Sequence, residues 1–451
     1  MSGLGARTFR RNIVWQFIGN GGQALLGAVI LVLMGRTLGA HDFGIFAIVM
    51  GLVYVANSLF EPRMQDVAAK QFWDLDSDAV EHHIPYFLDL LILEIATKLI
   101  PCVALILLSP ILVAFNNLQG NEAILPAAAI GYYLAKFGNG LSLGTLRVLG
   151  RSDLSSSALI GEQLLRLALM LAILALGQLT ALNAVITLCV AGIVANGAQW
   201  WMVSRQFRRA RLDLAGWRLP EALVRLRENR RLLLSNMGLS ISDLMNKDLD
   251  VTIISPLMSP ATVGVYKMAK NVVTLAWRAI DPVYLALMPE VNRLVARRDF
   301  NALTVLLKKI IVRMFALAVA LSVILTAGVW LLGDIVFGPG FSEMRYYVPL
   351  MSIAILVGSP LIWGHPVLVA LNRADAAVYS SLCGAVVGAG ILFLLTPILG
   401  PYGAIVGWIF TFSLTFILFA TAAYRLLRQS RGKADLALHQ TSRSPAAGDD
   451  A

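Results

Sequence analysis

The sequence predicts an all-α integral membrane protein of about twelve membrane-spanning helices, and three observations carry that prediction. Of its 451 residues, 58% are apolar and only 14% charged, and the mean hydropathy is +0.73. Soluble domains are about 45–50% apolar and about 25% charged, so this chain has too little polar surface to cover a water-soluble globule. That excludes a cytosolic enzyme, a secreted domain or a nucleic-acid-binding module as the main body. The second observation is length: twelve stretches reach the roughly 20 apolar residues needed to cross a hydrocarbon core about 30 Å thick. The third is that Lys and Arg collect in alternate loops, as the charge bias of membrane topology requires.

Taken in order, the first span, 13–38, follows Arg7, Arg10 and Arg11 and is too long for the core of a secretory signal, so it is expected to be retained. Span 44–60 is followed by Arg63 and Lys70. Spans 88–115 and 123–146 lead to Arg147 and Arg151, and spans 155–176 and 179–203 lead to the most basic loop, 204–231. The second six spans are 232–256, 262–288, 310–332, 346–371, 374–397 and 402–424. With the N-terminus inside, 27 of the 37 Lys and Arg fall in inner segments, one (Arg345) in an outer loop and nine within spans. The +10 net charge is therefore a topology signal rather than a polyanion-binding patch, and both termini are expected to be cytoplasmic. The predicted organisation is a six-helix bundle over 1–203, a basic cytoplasmic linker over 204–231, a second six-helix bundle over 232–424, and a disordered cytoplasmic tail over 425–451, polar beyond Arg431.

The halves repeat. At an offset of 220 residues, Phe43-Gly44-Ile45-Phe46-Ala47 faces Val263-Gly264-Val265-Tyr266-Lys267, at the start of spans two and eight. At an offset of 222, Leu149-Gly150-Arg151-Ser152-Asp153 faces Leu371-Asn372-Arg373-Ala374-Asp375, in equivalent inner loops. Six spans is an even number, so the two bundles run parallel about an axis normal to the membrane, a plan that transporters use with a central cavity between halves.

Several chemistries lack their residues. No G-x-x-x-x-G-K-[ST] loop is present, Gly432-Lys433-Ala434 being the nearest string. Extramembrane segments are too short for a soluble catalytic domain, and no long outer loop suits a membrane-embedded glycan polymerase. The chain is therefore not expected to be an enzyme, nor to hold a metal or cofactor. Cys102, Cys189 and Cys383 sit in apolar stretches and are expected to be buried small hydrophobes. His82 and His83 suit a solvated loop, and His365 within span ten suits a hydrogen-bonded interior imidazole.

Charges inside spans are the most informative residues. A basic side chain at the bilayer centre costs about 2.5–3.5 kcal/mol on insertion scales, so it should face protein or water. The nine are Arg36, Lys98, Lys136, Arg166, Lys247, Lys267, Lys270, Arg278 and Arg313. Arg36 and Arg313 lie near span ends, where they snorkel. Lys267, Lys270, Thr274, Arg278 and Asp281 recur at helical spacing on span eight, and Asp243, Lys247 and Asp250 form a similar stripe on span seven. Lys136 and Arg166 extend this lining from the first half. One reading is structural ion pairing: Asp243 with Lys247, Arg278 with Asp281, Glu162 with Arg166, Glu94 with Lys98. The other is a cationic cavity for an anionic headgroup such as a pyrophosphate, lined by Lys136, Arg166, Lys247, Lys267, Lys270 and Arg278. Asp248 and Asp250 are the candidate carboxylates for ion coupling.

Gly35-Arg36-Thr37-Leu38-Gly39-Ala40-His41-Asp42-Phe43-Gly44-Ile45-Phe46-Ala47 resembles the link between helices one and two in the polysaccharide-flippase (Wzx-type) branch of the multidrug/oligosaccharidyl-lipid/polysaccharide exporter superfamily. Asp250-Val251-Thr252-Ile253-Ile254, followed by Val263-Gly264-Val265-Tyr266-Lys267-Met268-Ala269, resembles that branch's link between helices seven and eight. The resemblance implies two six-helix bundles around a cavity that opens alternately to either side of a bacterial inner membrane. It implies an undecaprenyl-diphosphate-linked oligosaccharide as cargo, moved from the cytoplasmic to the periplasmic leaflet for O-antigen, capsule or exopolysaccharide synthesis. The partners it implies are membrane lipids, a polysaccharide polymerase and chain-length or export proteins, with no nucleic acid and no cofactor. A cation-coupled small-molecule exporter of the same superfamily is the alternative.

Overall fold

The computed structural model describes residues 3–73, 84–209, 224, 226–227, 230–242, 244 and 248–441. Every regular element among them is helical: α1 (Gly3–Phe60), α2 (Met64–Trp73), α3 (Ile84–Phe115), α4 (Ile124–Lys136), α5 (Asn139–Val148), α6 (Ser152–Ala175), α7 (Ala181–Arg209), α8 (Arg230–Ser242) and α9 (Leu249–Ile254). There follow α10 (Pro260–Arg278), α11 (Asp281–Ala296), α12 (Phe300–Val336), α13 (Met344–Gly358), α14 (Gly364–Ala370), α15 (Ala374–Leu399) and α16 (Pro401–Thr441).

Nine of these helical stretches among the described residues are long and apolar enough to cross a membrane. They account for ten of the twelve expected spans, all but the fourth and the seventh. The stretch Val14–Ala68 holds spans one and two, joined where Gly39 takes φ 70°, a backbone region glycine enters without steric penalty. Span four is broken into α4 and α5, each too short to cross alone, and part of span seven lies outside the described residues. α16 runs on to Thr441, past the point where the sequence turns polar. Exposed side chains such as Leu107, Val312, Leu331, Val386, Leu394 and Ile398 belong to these helices, and apolar exposure of this kind is what lipid-facing surface needs.

The chain divides into two compact units. The first comprises residues 1–268 and 333–342. In it α1 packs on α6 where Ser156 Oγ donates to the Trp15 carbonyl at 2.7 Å beside Gly19, and α4 meets α7 where Gly131 lies against Cys189 and Gly192 against Ala135. Met64, Val67, Phe87, Leu90, Leu141, Leu146 and Val203 form a core under α2. The second unit comprises residues 269–332 and 343–451. Leu287, Val291, Leu303, Trp363, Val367 and Phe419 anchor its core. A run of aromatic side chains on α16 (Trp408, Phe412, Phe416, Phe419) receives Trp277 from α10, at 4.6 Å between the Trp277 and Phe412 ring centroids. Its last two helices meet along glycines: Gly384 and Gly388 of α15 lie against Thr411 and Thr415, and Gly403 and Gly407 of α16 against Leu392 and Leu395.

The cysteines depart from expectation. Cys189 is buried, Cys102 half-buried and Cys383 exposed. In a membrane, an apolar stretch supplies lipid-facing surface as readily as core, so hydropathy alone does not bury a thiol.

Candidate functional site

In the first unit the fourth span is interrupted. α4 ends at Lys136 and α5 restarts at Asn139 after Gly138, whose φ of 68° only glycine enters freely. The break leaves backbone groups without helical partners, and neighbouring helices supply them. The Phe137 carbonyl accepts from Asn196 Nδ2 at 2.8 Å and Trp200 Nε1 at 3.2 Å, both on α7. The Gly140 and Leu141 amides donate to the two carboxylate oxygens of Glu94 on α3, at 2.8 and 3.0 Å. A carboxylate at a helix N-terminus is also favoured by the helix dipole. Glu94 is buried, and so is Lys98 one turn later. Lys98 Nζ donates to Asn57 Oδ1 at 2.7 Å and lies 3.7 Å from Glu61, which itself accepts from Asn57 Nδ2 at 2.6 Å. The Glu94–Lys98 pair expected from helical spacing is thus replaced by a network in which each charge bonds elsewhere. Lys136, half-buried at the break, has no hydrogen bond or ion pair among the described residues.

A second polar cluster of this unit joins α1, α6, α9 and α10. Lys267 pairs with Asp248, at the start of α9. Asp250 is buried, accepting from Tyr266 Oη at 2.6 Å and from the Val251 amide at 2.9 Å. Arg166 on α6 reaches Met34 Sδ at 3.5 Å with one guanidinium nitrogen and stands 5.9 Å from the centre of the Phe46 ring. Its Nε, and the neighbouring Gln163 Oε1, are buried without a hydrogen-bond partner among the described residues. Tyr54 sits within electrostatic reach of Arg166, Glu162 and Asp248. Removing one partner of a bonded ion pair strands the other. Asp248→Ala is therefore expected to cost about 2 kcal/mol in detergent unfolding, with Asp248→Leu plus Lys267→Met recovering most of it. A single mutant as stable as the parent would remove the pair from the structural account.

The second unit holds Lys270, buried and engaged, and Arg278, exposed at the last residue of α10. The stripe drawn along span eight therefore ends sooner than its spacing suggests. The helix stops at Arg278, a turn at Ala279–Ile280 intervenes, and Asp281 opens α11. His365 is the hydrogen-bonded imidazole expected, its Nδ1 2.8 Å from Tyr284 Oη. Lys247 and Asp243 lie outside the described residues. The structure thus places Lys136 at the span-four break and Arg166, Lys267, Asp248 and Asp250 in the second polar cluster of the first unit, with Lys270 and Arg278 in the second unit. Sequence reasoning did not find the capping role of Glu94. The signal was present in Gly138-Asn139-Gly140, which interrupts span four within reach of an acidic residue on span three.

Residues 9–295 match the family model described as polysaccharide biosynthesis protein. The chain belongs to the polysaccharide biosynthesis protein family. Within this family member the matched region contains Lys136, Arg166, Lys267, Lys270 and Arg278, the described cations of the expected cavity lining. No curated protein sequence matches the chain. Its fold is shared with an inward-facing multidrug resistance MATE family transporter of the MOP superfamily (TM-score 0.67, 14% identity, covering 92% of this chain and 96% of that one). It is shared also with the lipid II flippase MurJ in an inward closed conformation (TM-score 0.66, 11% identity, 97% and 94% covered). A third match is the Vibrio cholerae MATE transporter VcmN in the bent form (TM-score 0.54, 13% identity, 94% and 97% covered). These identities show a common fold for this polysaccharide biosynthesis family member and nothing finer.

Proposed function

We propose that this protein flips a lipid-linked oligosaccharide, an undecaprenyl-diphosphate-linked repeat unit, from the cytoplasmic to the periplasmic leaflet of a bacterial inner membrane, and that it is a transporter rather than an enzyme. The observation that carries the reading is a pair of cations within spans, Lys136 on α4 and Arg166 on α6, that have no salt bridge among the described residues. Glu162 stands close enough to act on Arg166 without bonding it, and an intramembrane charge that is not directly bonded to a counterion is costly and marks a pathway or ligand site by default. The unused Nε of Arg166 is a donor for a phosphate oxygen, and Lys136 a mobile point charge for another. Membership of a polysaccharide biosynthesis family makes a sugar-bearing diphosphate the natural anion. Lys267, Lys270, Arg278 and Lys247 are the remaining proposed cavity cations. The two sequence halves, 1–203 and 232–424, are the proposed moving bundles, with both termini cytoplasmic and a glycan polymerase and chain-length proteins acting downstream.

The small-molecule exporter reading draws on Asp248 and Asp250 as coupling carboxylates. Both are already engaged, by Lys267 and Tyr266, so a coupling ion would have to displace those partners.

The test is to delete the gene, label cells with radioactive sugar and ask which leaflet holds the completed lipid-linked units. Accumulation on the cytoplasmic face is expected. In the complemented strain, Arg166→Ala with Lys136→Ala should lower export at least tenfold while the protein remains inserted at parental levels. Normal glycan export in the deletion strain, with altered drug susceptibility, would replace the reading with small-molecule export.

A further inference from the structure

The two glycines that mark the internal repeat touch each other. Gly44 and Gly264 hold equivalent places at the starts of spans two and eight, and in the first unit their backbones are in contact. A methyl group on Gly44 would run into the carbonyl of Pro260, and one on Gly264 into the carbonyl of Ala40. Ala40 and Pro260 are themselves repeat equivalents, so the contact is reciprocal, the signature of a two-fold axis passing between the helices. Around it, each link is held by a loop of the other half. Arg36 Nη1 donates to the Ile335 carbonyl at 2.7 Å, and Ser255 Oγ donates to Asn116 Oδ1. Arg36 corresponds to Ser255 in the repeat, and Ile335 to Asn116, to within a residue. Phe341 packs against Phe43 with ring centres 6.0 Å apart. Each of these four segments follows an odd-numbered span, so all four lie on one side of the membrane.

We infer that this collar is a gate for the transport path on that side. Gly44 and Gly264 form its seam, and the Arg36–Ile335 and Ser255–Asn116 bonds form its two latches. The inference rests on the transporter reading above and assigns closure to residues outside the cationic lining. Glycine at both positions lets backbone meet backbone, leaving no space for water or a headgroup. At the seam itself the helices meet backbone to backbone with no side chains between them, and the side-chain contacts to be undone, the two latches and the Phe43–Phe341 pair, lie beside it. A seam of this kind parts and re-forms readily. Any larger residue at either position holds the ends of spans two and eight apart.

The test uses the full chain purified in detergent, with Cys102, Cys189 and Cys383 replaced by Ala and a reporter introduced as Met268→Cys, a fully buried position beside Gly35. Adding Gly44→Leu should raise the labelling rate of that thiol by a water-soluble maleimide at least tenfold. Gly21→Leu, at a glycine with nothing within 4 Å, should leave it unchanged. An unchanged rate in a monodisperse Gly44→Leu protein overturns the gate. If Gly44→Leu does not fold, the pair Phe43→Cys with Phe341→Cys, which face each other across the collar and leave both glycines intact, decides: oxidation should cross-link it and abolish export in cells, and reduction should restore export. Complete cross-linking with export at the parental rate overturns the gate equally. Maleimide labelling needs no substrate, so the gate is judged separately from the identity of the cargo, which the leaflet assay decides.

Discussion

Glu94→Ala is expected to cost about 3–5 kcal/mol, enough to deplete the folded protein from the membrane, because one substitution removes two kinds of support. The Gly140 and Leu141 amides lose their acceptor at a break that cannot turn to water, and a buried donor so stranded costs about 1–3 kcal/mol. Lys98, buried nearby, simultaneously loses a compensating charge. Glu94→Gln separates the contributions: its amide oxygen still accepts one backbone bond but supplies no charge, so an intermediate loss is expected. The measurement is the unfolding temperature of purified protein in detergent, alongside the amount inserted. A Glu94→Ala protein that melts with the parent would show that the broken helix is held by packing alone.

Gly388→Leu is expected to cost about 3 kcal/mol in the second unit, since inserting side-chain volume into a closed contact forces helices apart. The α15–α16 contact is of the small-residue kind that drives helix association in lipid, where apolar burial provides no preference. Gly388 faces the Thr411 side chain and backbone so closely that even a methyl group has no space, and Gly384 repeats this against Thr415 one turn away. Gly390 has nothing within 4 Å. Gly390→Leu should therefore melt with the parent, and equal losses at both positions would remove the seam from the account.

The helices were legible because lipid demands long apolar runs, and that requirement is written into composition. The link at Gly39 and the glycines at Gly138-Asn139-Gly140 were legible as a boundary and an interruption, but not that the first would be a bend inside continuous helix and the second a break capped by Glu94. Among the charges, Lys267 looked unpaired because no acid stands near it in sequence at helical spacing. Its partner, Asp248, is 19 residues away on a different helix, a proximity only folding creates. Glu94 and Lys98 show the reverse error, since ideal spacing for a pair does not prevent each from finding a better partner across helices. The repeat was legible as two faint string matches. That the matched glycines touch was not, because a symmetry axis is a property of space rather than of sequence.

The second unit's core has a consequence for how the chain is made. Trp363, Val367 and Leu368 close against Phe419, Ala420 and Ala423, which lie near the end of the polypeptide, while Leu287 and Val291 wait on the other side of the same cluster. During synthesis these earlier helices enter the bilayer long before their partners leave the ribosome. For that interval they present unmatched faces to lipid and to whatever surveillance patrols the membrane. Trp363, Val367, Leu287 and Val291 therefore reach their packed state only after the helix carrying Phe419 has joined them, so the second unit closes its core late rather than helix by helix.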